Sequence, residues 1–142
     1  MNFPWLELSL GDWAQMQALV QPIRVQVFVS EQGIDPNLEW DEADAQSLHC
    51  LARVNGSPAG TGRLLPDGHI GRMAVLAGVR RQGVGGRILR ALIDAAQRRG
   101  DPRVELSAQT YVEAFYLRHG FTSVGSPYQE AGIEHIRMIK TL

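Results

Sequence analysis

The sequence predicts an α/β protein in which helices cover the faces of a mixed sheet. Two segments repeat apolar residues at helical spacing, and several shorter apolar segments between turn signals are typical of strands. Of the 142 residues, 44% are hydrophobic and 20% are charged, which is typical of a globular protein and excludes a disordered chain. Because no internal repeat or linker-like segment divides this length, we predict one domain over residues 1–142.

The predicted elements alternate along the chain. An acidic, proline-containing segment over 34–45 predicts a loop or an irregular helix. The regular elements are a strand over 3–8, a helix over 13–27, strands over 48–54, 59–65 and 69–76, a helix over 84–99, a strand over 104–107, a helix over 112–118, and strands over 121–124 and 135–139.

Caps and turns set the boundaries of the elements in the first half. Asp12 is a suitable N-cap for the first helix, and Pro22 is expected to kink or split that helix. Asn55-Gly56 is the strongest short hairpin signal, and Pro66-Asp67-Gly68 marks a second turn. The three strands around these turns are therefore predicted to form an antiparallel meander.

The second long helix begins and ends at clear signals. It follows a glycine-rich segment, and Gly100-Asp101-Pro102 ends it. Its apolar residues have the spacing of a helix with one buried face: Val84, Ile88, Leu89, Leu92, Ile93 and Ala96.

Charge is segregated along the chain although its sum is close to zero. The formal net charge of -1 argues against a general nucleic-acid-binding protein. Between Glu31 and Asp44 there are six carboxylates and no Lys or Arg, whereas between Arg72 and Arg103 there are eight arginines and two carboxylates. Such a separation allows each region to bind a ligand of the opposite charge.

Other protein classes are excluded by what the sequence lacks. Cys50 is the only cysteine, which excludes an internal disulfide and a cysteine-based metal cluster and favours a packing role. No metal site is predicted. The first residues do not resemble a signal peptide and no stretch has the length of a membrane span, so we expect a cytoplasmic protein.

The strongest functional signal is the segment Arg-Arg-Gln-Gly-Val-Gly-Gly-Arg from Arg80 to Arg87. It opens the second long helix after a predicted strand, where free backbone N–H groups and the helix dipole attract an anion. Glycine lets the backbone approach a phosphate closely, and arginine forms charge-assisted hydrogen bonds with it. A glycine-rich turn with solvated arginines is the alternative, but the flanking elements and the clustered arginines favour a phosphate site.

Two common phosphate loops are excluded. A Walker A loop requires Lys before Ser or Thr, and the only lysine in the chain is Lys140. The dinucleotide-binding fingerprint requires a glycine where Ile88 stands. Neither ATP or GTP hydrolysis nor dinucleotide binding is therefore expected.

The segment resembles the pyrophosphate loop of the GCN5-related N-acetyltransferase (GNAT) superfamily, with the pattern Gln/Arg-x-x-Gly-x-Gly/Ala at Arg80, Gly83 and Gly85. Residues 114–121, which include a tyrosine and end in Gly-Phe, resemble a later helix of that superfamily. Three further segments are similar to its ElaA-like branch: residues 27–33, 106–109 and 132–138.

The resemblance implies a GNAT-like, mostly antiparallel central sheet with helices on both faces, and acetyl-CoA as cosubstrate. Tyr116 matches the tyrosine that protonates the CoA thiolate, although its position also suits a core aromatic. Gln109 stands where many relatives have an asparagine near the pantetheine. The implied CoA-binding residues are Met73, Ala74 and Val75 for the pantetheine, Arg80, Arg81, Gln82, Gly83, Val84, Gly85 and Gly86 for the pyrophosphate, and Gln109 and Tyr116.

The acceptor side is predicted from the acidic region and two histidines. Glu31 is the preferred general base because it ends the first helical region inside a family-like segment. Trp40 among carboxylates is suited either to a cationic amine or to anchoring a loop, and Asp35 and Asp44 are expected to be solvated. His49 is a candidate for this side of the site, and the alternative is that it packs in the core as a hydrogen-bonded histidine. The other candidate bases are Glu39, Asp41, Glu42, His49 and His135, and the candidate acceptor-binding residues are Glu39, Trp40, Glu42, His49 and His135.

These patterns and the resemblance predict an acetyl-CoA-dependent N-acetyltransferase, in which a primary amine attacks bound acetyl-CoA directly and no covalent acyl-enzyme forms. The expected acceptor is a small-molecule or peptide amine, with no nucleic-acid or membrane partner, and the expected state is a monomer or homodimer. Two alternatives stay open at this point: a non-enzymatic acyl-CoA-binding or sensing module, and an interaction domain without a nucleotide ligand.

Overall fold

A computed structural model describes residues 5–142 of the chain. A π-helical turn over Val25–Glu31 and short 3₁₀ turns connect the regular elements. These elements are β1 (Leu6–Gly11), α1 (Trp13–Arg24), α2 (Pro36–Glu39), β2 (Leu48–Val54), β3 (Ser57–Leu64), β4 (Ile70–Val75), α3 (Val84–Arg99), β5 (Arg103–Gln109), α4 (Glu113–Arg118), β6 (Thr122–Glu130) and β7 (Ile133–Thr141).

The strands form two antiparallel sheets that meet at one corner. The first sheet has the order β1-β2-β3-β4, and the second has the order β5-β7-β6. β4 and β5 touch through a parallel bridge between His69 and Glu105, and they separate beyond it. The predicted mixed, mostly antiparallel sheet is therefore confirmed, and its division leaves an opening between β4 and β5.

Helices cover both faces of the first sheet, as predicted. Leu51 packs with Val20 and Ile23 of α1, whereas its neighbour Cys50 packs in the cluster that contains Ile88 of α3. Consecutive residues of a strand point to opposite faces, so α1 and α3 lie on opposite sides of the sheet. Both helices are amphipathic, and burial of their apolar faces supplies most of their stability.

Glycines in β3 allow α3 to approach the sheet closely. A Cβ atom on Gly60 would lie 2.8 Å from Ile88 Cδ1, and one on Gly62 would lie 3.0 Å from Leu92 Cδ1. Any larger residue at these positions would push α3 away from the sheet. The position of α3 matters because its N-terminus borders the opening between the sheets.

Two predictions about the first elements need correction. β1 spans Leu6–Gly11 rather than 3–8, and the first two residues of the predicted strand lie outside the described residues. Pro22 does not split the first helix, because α1 continues through it to Arg24 and then widens into the π-helical turn, while the alternative of a kink stays a prediction. Buried apolar residues on both sides of Pro22 keep the segment on the sheet despite the missing backbone donor.

The last two strands are longer than predicted. They form a hairpin whose turn has left-handed backbone at Ala131 and Gly132, with φ of 53° and 77°. Sequence periodicity missed most of β6 because all of its residues are exposed and none marks a buried face. The hairpin extends along the opening between the sheets.

The acidic segment forms α2 and a 3₁₀ turn over Glu42–Gln46, which confirms the predicted irregular helix. Asp35 and Asp41 cap these turns by accepting hydrogen bonds from the backbone N–H groups of Asn37 and Ala43. No helix within residues 5–142 combines the length and apolar character needed to cross a membrane.

Candidate functional site

A cavity of about 1650 Å³ opens where β4 and β5 separate. Its walls come from the π-helical turn and α2, from β4 and the glycine-rich segment, from the end of β5, from α4, and from the β6–β7 hairpin. The division of the sheet therefore brings sequence-distant elements to one site.

The glycine-rich segment leaves the N-terminus of α3 facing this cavity. Gly83 occupies the N-cap position of α3 with a φ of 86°, and no side chain caps that end. Arg81 also has left-handed backbone, with a φ of 65°. The N–H groups at the start of this sixteen-residue helix are therefore uncapped and have arginines beside them, at the place where the sequence predicts a phosphate site.

α4 packs closely against the same end of α3. A Cβ atom on Gly86 would lie 3.2 Å from His119 Nε2, and one on Gly85 would lie 3.8 Å from Phe115 Cζ. His119 Nδ1 donates a 2.8 Å hydrogen bond to the Phe115 carbonyl. Sequence reasoning assigned no site role to His119, and only packing of α4 on α3 reveals its place beside the glycine-rich segment.

Arg80 connects the glycine-rich segment to two other walls of the cavity. Its Nη2 donates to Glu31 Oε1 at 2.7 Å, its Nη1 donates to the other carboxylate oxygen, and its Nε donates to the Val75 carbonyl at 2.8 Å. The hydrogen bond from Arg80 is the main reason why the pKa of Glu31 is lowered. Glu31 is thus an ion-paired carboxylate, an arrangement that disfavours proton uptake.

Tyr116 is nearly buried at the wall of the cavity, with 8% of its surface exposed. Its ring makes edge-to-face contacts with Phe115 and Phe121, and burial raises its pKa to about 12. A phenol that keeps its proton at neutral pH therefore stands at the cavity wall.

Two amide side chains meet across the cavity. Gln109, at the end of β5, donates a 2.9 Å hydrogen bond from Nε2 to Oε1 of Gln32, which follows the π-helical turn. Gln32 Nε2 in turn donates to the Tyr111 hydroxyl at 3.3 Å. The predicted pantetheine contact Gln109 therefore lies at the cavity, where it joins the second sheet to the segment after α1.

Arginines neutralise the buried part of the acidic region, whereas Asp35 is exposed as predicted. Asp44 is 1% exposed and accepts hydrogen bonds from Arg24 Nη1 at 2.7 Å and from Arg63 Nη1 at 2.9 Å. Glu39 is also buried and is hydrogen bonded to Arg24 Nε. Asp41 accepts from Arg63 Nη1 at 2.6 Å. The prediction that Asp44 is solvated is wrong, because Asp44 is the counter-ion of two buried arginines.

Arg72 of β4 forms hydrogen bonds with the same acidic region. A bulge in β4 gives Arg72 a left-handed φ of 49°, and its Nε donates to the Glu39 carbonyl at 3.0 Å. Burial is the main reason why the pKa of Arg72 is lowered. Three carboxylates of the acidic region are thus matched by Arg24, Arg63 and Arg72, which leaves little free negative charge to receive an amine.

Three of the predicted acceptor-binding residues lie away from the cavity. Trp40 is 50% exposed, and Glu42 is exposed beside it. His49 is buried, with Nε2 2.8 Å from the Asp44 carbonyl and its ring 4.8 Å from that of Trp13. Burial lowers the pKa of His49, which agrees with the alternative of a core histidine. Gln82 is exposed and also lies outside the cavity wall.

The β6–β7 hairpin contributes His135 and Glu130 to the cavity. His135 is 7% exposed, and its Nδ1 donates a 2.7 Å hydrogen bond to the Ile133 carbonyl. Its Nε2 lies 3.5 Å from Glu130 Oε2. Sequence reasoning selected His135 but not Glu130, because a long exposed β6 was not foreseen.

The cavity thus gathers most of the predicted site residues. They are Glu31, Glu39, Met73, Ala74, Val75, Arg80, Arg81, Gly83, Val84, Gly85, Gly86, Gln109, Tyr116 and His135. Within residues 5–142, His, Cys, Asp and Glu side chains form no group of three or more that could hold a metal ion.

Comparison with known proteins agrees with this geometry. Residues 18–142 match the family model described as an acetyltransferase (GNAT) domain. The uncharacterized N-acetyltransferase YjcF of Bacillus subtilis is 37% identical over 122 residues, which cover 83% of this chain and 87% of that protein.

Solved structures show the same fold. A crystal structure of an acyl-CoA N-acyltransferase from Pseudomonas aeruginosa superposes with a TM-score of 0.86 at 32% identity, covering 96% of this chain and 99% of that one. Escherichia coli ElaA superposes with a TM-score of 0.82 at 28% identity, covering 95% of this chain and 99% of that one.

Proposed function

This chain belongs to the GNAT family of acetyltransferases, and from that membership we infer that it is an enzyme that transfers an acetyl group from acetyl-CoA to an amine. The family model covers most of the chain, and relatives more than 30% identical are named as acetyltransferases. The observation that carries the site assignment is a protonated, cavity-facing Tyr116 in the same cavity as an uncapped helix N-terminus.

The N-terminus of α3 fits the diphosphate of CoA. Its first N–H groups are uncapped, and Arg81 stands beside them. Gly85 and Gly86 add no side chain to this end of α3, where a Cβ on Gly86 would crowd His119 of the neighbouring α4 segment. We assign the diphosphate to the segment from Arg81 to Gly86, where backbone donors and the helix dipole favour negative charge.

The exposed edge of β4 fits the pantetheine arm. β4 pairs with β3 on one side only, and it separates from β5 along Met73, Ala74 and Val75. Peptide groups on an unpaired strand edge are ready to pair with an extended amide-containing chain. Gln109 at the end of β5 lies on the other side of the same opening.

Acetyl-CoA, when bound, supplies the activated acetyl thioester. Tyr116 holds its proton at neutral pH, because burial keeps its pKa near 12, and it is placed to give that proton to the departing thiolate. Holding the amine and the thioester together in the cavity supplies much of the acceleration, up to about 7–11 kcal/mol in ideal cases. The amine attacks directly, so no covalent acyl-enzyme is needed.

Glu31 acts in this proposal as a positioning residue rather than the base. Its carboxylate is committed to Arg80, which itself binds the carbonyl at the end of β4. The pair therefore orders the junction between β4 and the glycine-rich segment. The acceptor is a small-molecule or peptide amine, and the monomer or homodimer state expected from the sequence stays a prediction.

Transfer assays with the full chain test this function. Acetyl-CoA is incubated with spermidine, tyramine or short peptides that carry a free amino group, and released thiol and acetylated amine are measured. Amine-dependent formation of both products is expected. If acetyl-CoA raises the melting temperature but no amine is acetylated, the chain is instead a binding module, since a ligand of the folded state stabilises it. No thermal shift at all would contradict acetyl-CoA binding.

A further inference from the structure

His135 is a buried histidine at the cavity wall, and its two ring nitrogens have different neighbours. Its Nδ1 lies 2.7 Å from the Ile133 carbonyl, which can only accept a hydrogen bond. In the neutral ring Nδ1 therefore carries the proton, and Nε2 carries the lone pair. A backbone carbonyl that fixes the tautomer in this way leaves the other nitrogen ready to accept a proton.

Glu130 lies next to that second nitrogen. Its Oε2 is 3.5 Å from His135 Nε2, and it accepts a 3.3 Å hydrogen bond from Ser107 Oγ. When Nε2 takes up a proton, the imidazolium has an acceptor on each side, the Ile133 carbonyl and the Glu130 carboxylate. Glu130 thus places a carboxylate beside the ring nitrogen that carries the lone pair.

The other titratable groups around His135 do not compete for this role. From β6, the Tyr128 ring stacks on His135 at 6.2 Å between centroids. From β5, the residue paired with His135 is the neutral Gln109. Along β7, Arg137 is engaged with Glu105 at 2.7 Å. Glu130 is therefore the charged group that faces the ring among the described neighbours.

The remaining proton acceptors predicted from the sequence are engaged elsewhere. Glu31, Glu39 and Asp41 are paired with arginines. These arginines lower the pKa of Glu31 and that of Asp41, which disfavours proton uptake there. Glu42 and His49 lie outside the cavity. Of the candidate bases, His135 is the one at the cavity wall whose accepting nitrogen is not bonded to an arginine.

Resting on the proposed acetyl transfer, we propose that His135 is its general base and that Glu130 is the positioning residue that stabilises the protonated ring. The amine nitrogen forms a bond to the acetyl carbon as the carbon–sulfur bond breaks. The proton lost by the amine goes to His135 Nε2, and the leaving sulfur receives the proton of Tyr116. Solvent then takes the proton from His135 and returns one to Tyr116, so the products are the amide and the free thiol of CoA.

The first test needs no turnover. Side-chain ¹H–¹⁵N NMR of the full chain, with His135 assigned by the loss of its signals in His135→Asn, reports which ring nitrogen is protonated. We expect the proton on Nδ1 in the neutral ring. A proton on Nε2 instead would overturn the proposal, whether or not any amine is acetylated.

The second test measures the dependence of transfer on pH with the best amine from the panel above. His135→Asn keeps an amide donor near the Ile133 carbonyl but removes the base. We expect kcat to fall by about 10²–10⁴-fold and the acidic limb of the rate profile to disappear, with the KM for acetyl-CoA unchanged. A retained kcat with the same acidic limb would contradict the proposal.

Glu130→Gln supplies a variant that leaves the fold intact, because Glu130 is largely exposed. Removing its negative charge disfavours the imidazolium, so the acidic limb should move to lower pH. The matched control is Glu134→Gln, on the next strand of the same hairpin and hydrogen bonded to Thr110 outside the cavity. An unshifted limb in Glu130→Gln, or an equal shift in both variants, would exclude the role of Glu130.

Discussion

Arg80 and Glu31 form a bidentate ion pair although they are 49 residues apart in the sequence, and the same guanidinium donates a hydrogen bond to the carbonyl of Val75. The pair joins the π-helical turn to the segment that opens α3. Glu31 is consequently held as a carboxylate with a lowered pKa.

Glu31→Gln should weaken acetyl-CoA binding more than it slows the chemical step. The substitution removes the charge that holds Arg80, but it removes no proton acceptor used in the reaction. We expect a raised KM for acetyl-CoA and a kcat within about tenfold of the original, whereas loss of a general base costs about 10²–10⁴-fold. Steady-state kinetics measure both, and a loss of kcat in that larger range would restore Glu31 as the base.

Tyr116→Phe should lower kcat by about 10²–10⁴-fold without changing acetyl-CoA affinity, because it removes only the proton donor. The free energy of unfolding should hardly change, since the ring keeps its contacts with Phe115 and Phe121. Calorimetric binding and denaturant unfolding provide these controls. Full turnover in the variant would show that the thiolate is protonated by another group.

Asp44→Asn should destabilise the fold by about 3–5 kcal/mol, since it leaves Arg24 and Arg63 buried with less compensating charge. Urea unfolding measures the change. Glu42→Gln is the matched control, because Glu42 is exposed in the same acidic region and should change stability by no more than about 0.5 kcal/mol. Equal stability of the two variants would contradict the burial of this ion network.

Acid should destabilise the protein through the same network. The hydrogen bonds from Arg63 hold the pKa of Asp41 below its ordinary value of 3.8, and the hydrogen bonds from Arg24 and Arg63 outweigh burial in lowering that of Asp44. A carboxyl with a lowered pKa stabilises the fold above its unfolded pKa, and that contribution is lost as the pH falls through the folded pKa. Stability measured by urea unfolding should therefore fall below about pH 4 and be largely insensitive to these groups above it.

Gly86→Ala should weaken acetyl-CoA binding by about 10–100-fold, the equivalent of one charge-assisted hydrogen bond of roughly 1.5–3 kcal/mol. The added methyl would lie 3.2 Å from His119 Nε2, so it would shift the start of α3 or α4 beside the segment assigned to the diphosphate. Gly78→Ala is the control, because no atom lies within 4 Å of its Cβ position. Calorimetry with acetyl-CoA compares the two, and equal affinities would place the diphosphate elsewhere.

Cys50 should not react with thiol reagents in the folded protein at pH 8. It is fully buried, and burial raises the pKa of its thiol to about 12, so almost no reactive thiolate is present. A disulfide reagent should detect about one thiol per chain only after denaturation. Rapid reaction of the native protein would contradict this packing. If Cys50 does not react, the thiol released in the transfer assay comes from CoA alone.

Local sequence patterns were sufficient to predict the elements whose start, turn or buried face is marked by neighbouring residues. The glycines at 83, 85 and 86 mark the start of α3 whatever the rest of the chain does, and the apolar spacing from Val84 to Ala96 marks its buried face. The hairpin at Asn55-Gly56 is likewise a local signal, and its left-handed backbone is present in the structure. β6 carries no buried face, so its length could not be read from periodicity.

The residues therefore identify the family and predict the CoA side of the site, because glycine-rich backbone at a helix start attracts an anion through groups that lie within a few residues of one another. The acceptor side depends on pairs that are far apart in sequence: Asp44 with Arg24 and Arg63, and Glu31 with Arg80. The sequence shows no basic residue among these carboxylates, and only folding brings arginines from α1, β3 and β4 into contact with them. The ion pairing of these carboxylates follows from long-range packing that composition and spacing do not encode. The contact between His135 and Glu130 is local to the β6–β7 hairpin, but it depends on the length of β6, which periodicity did not show.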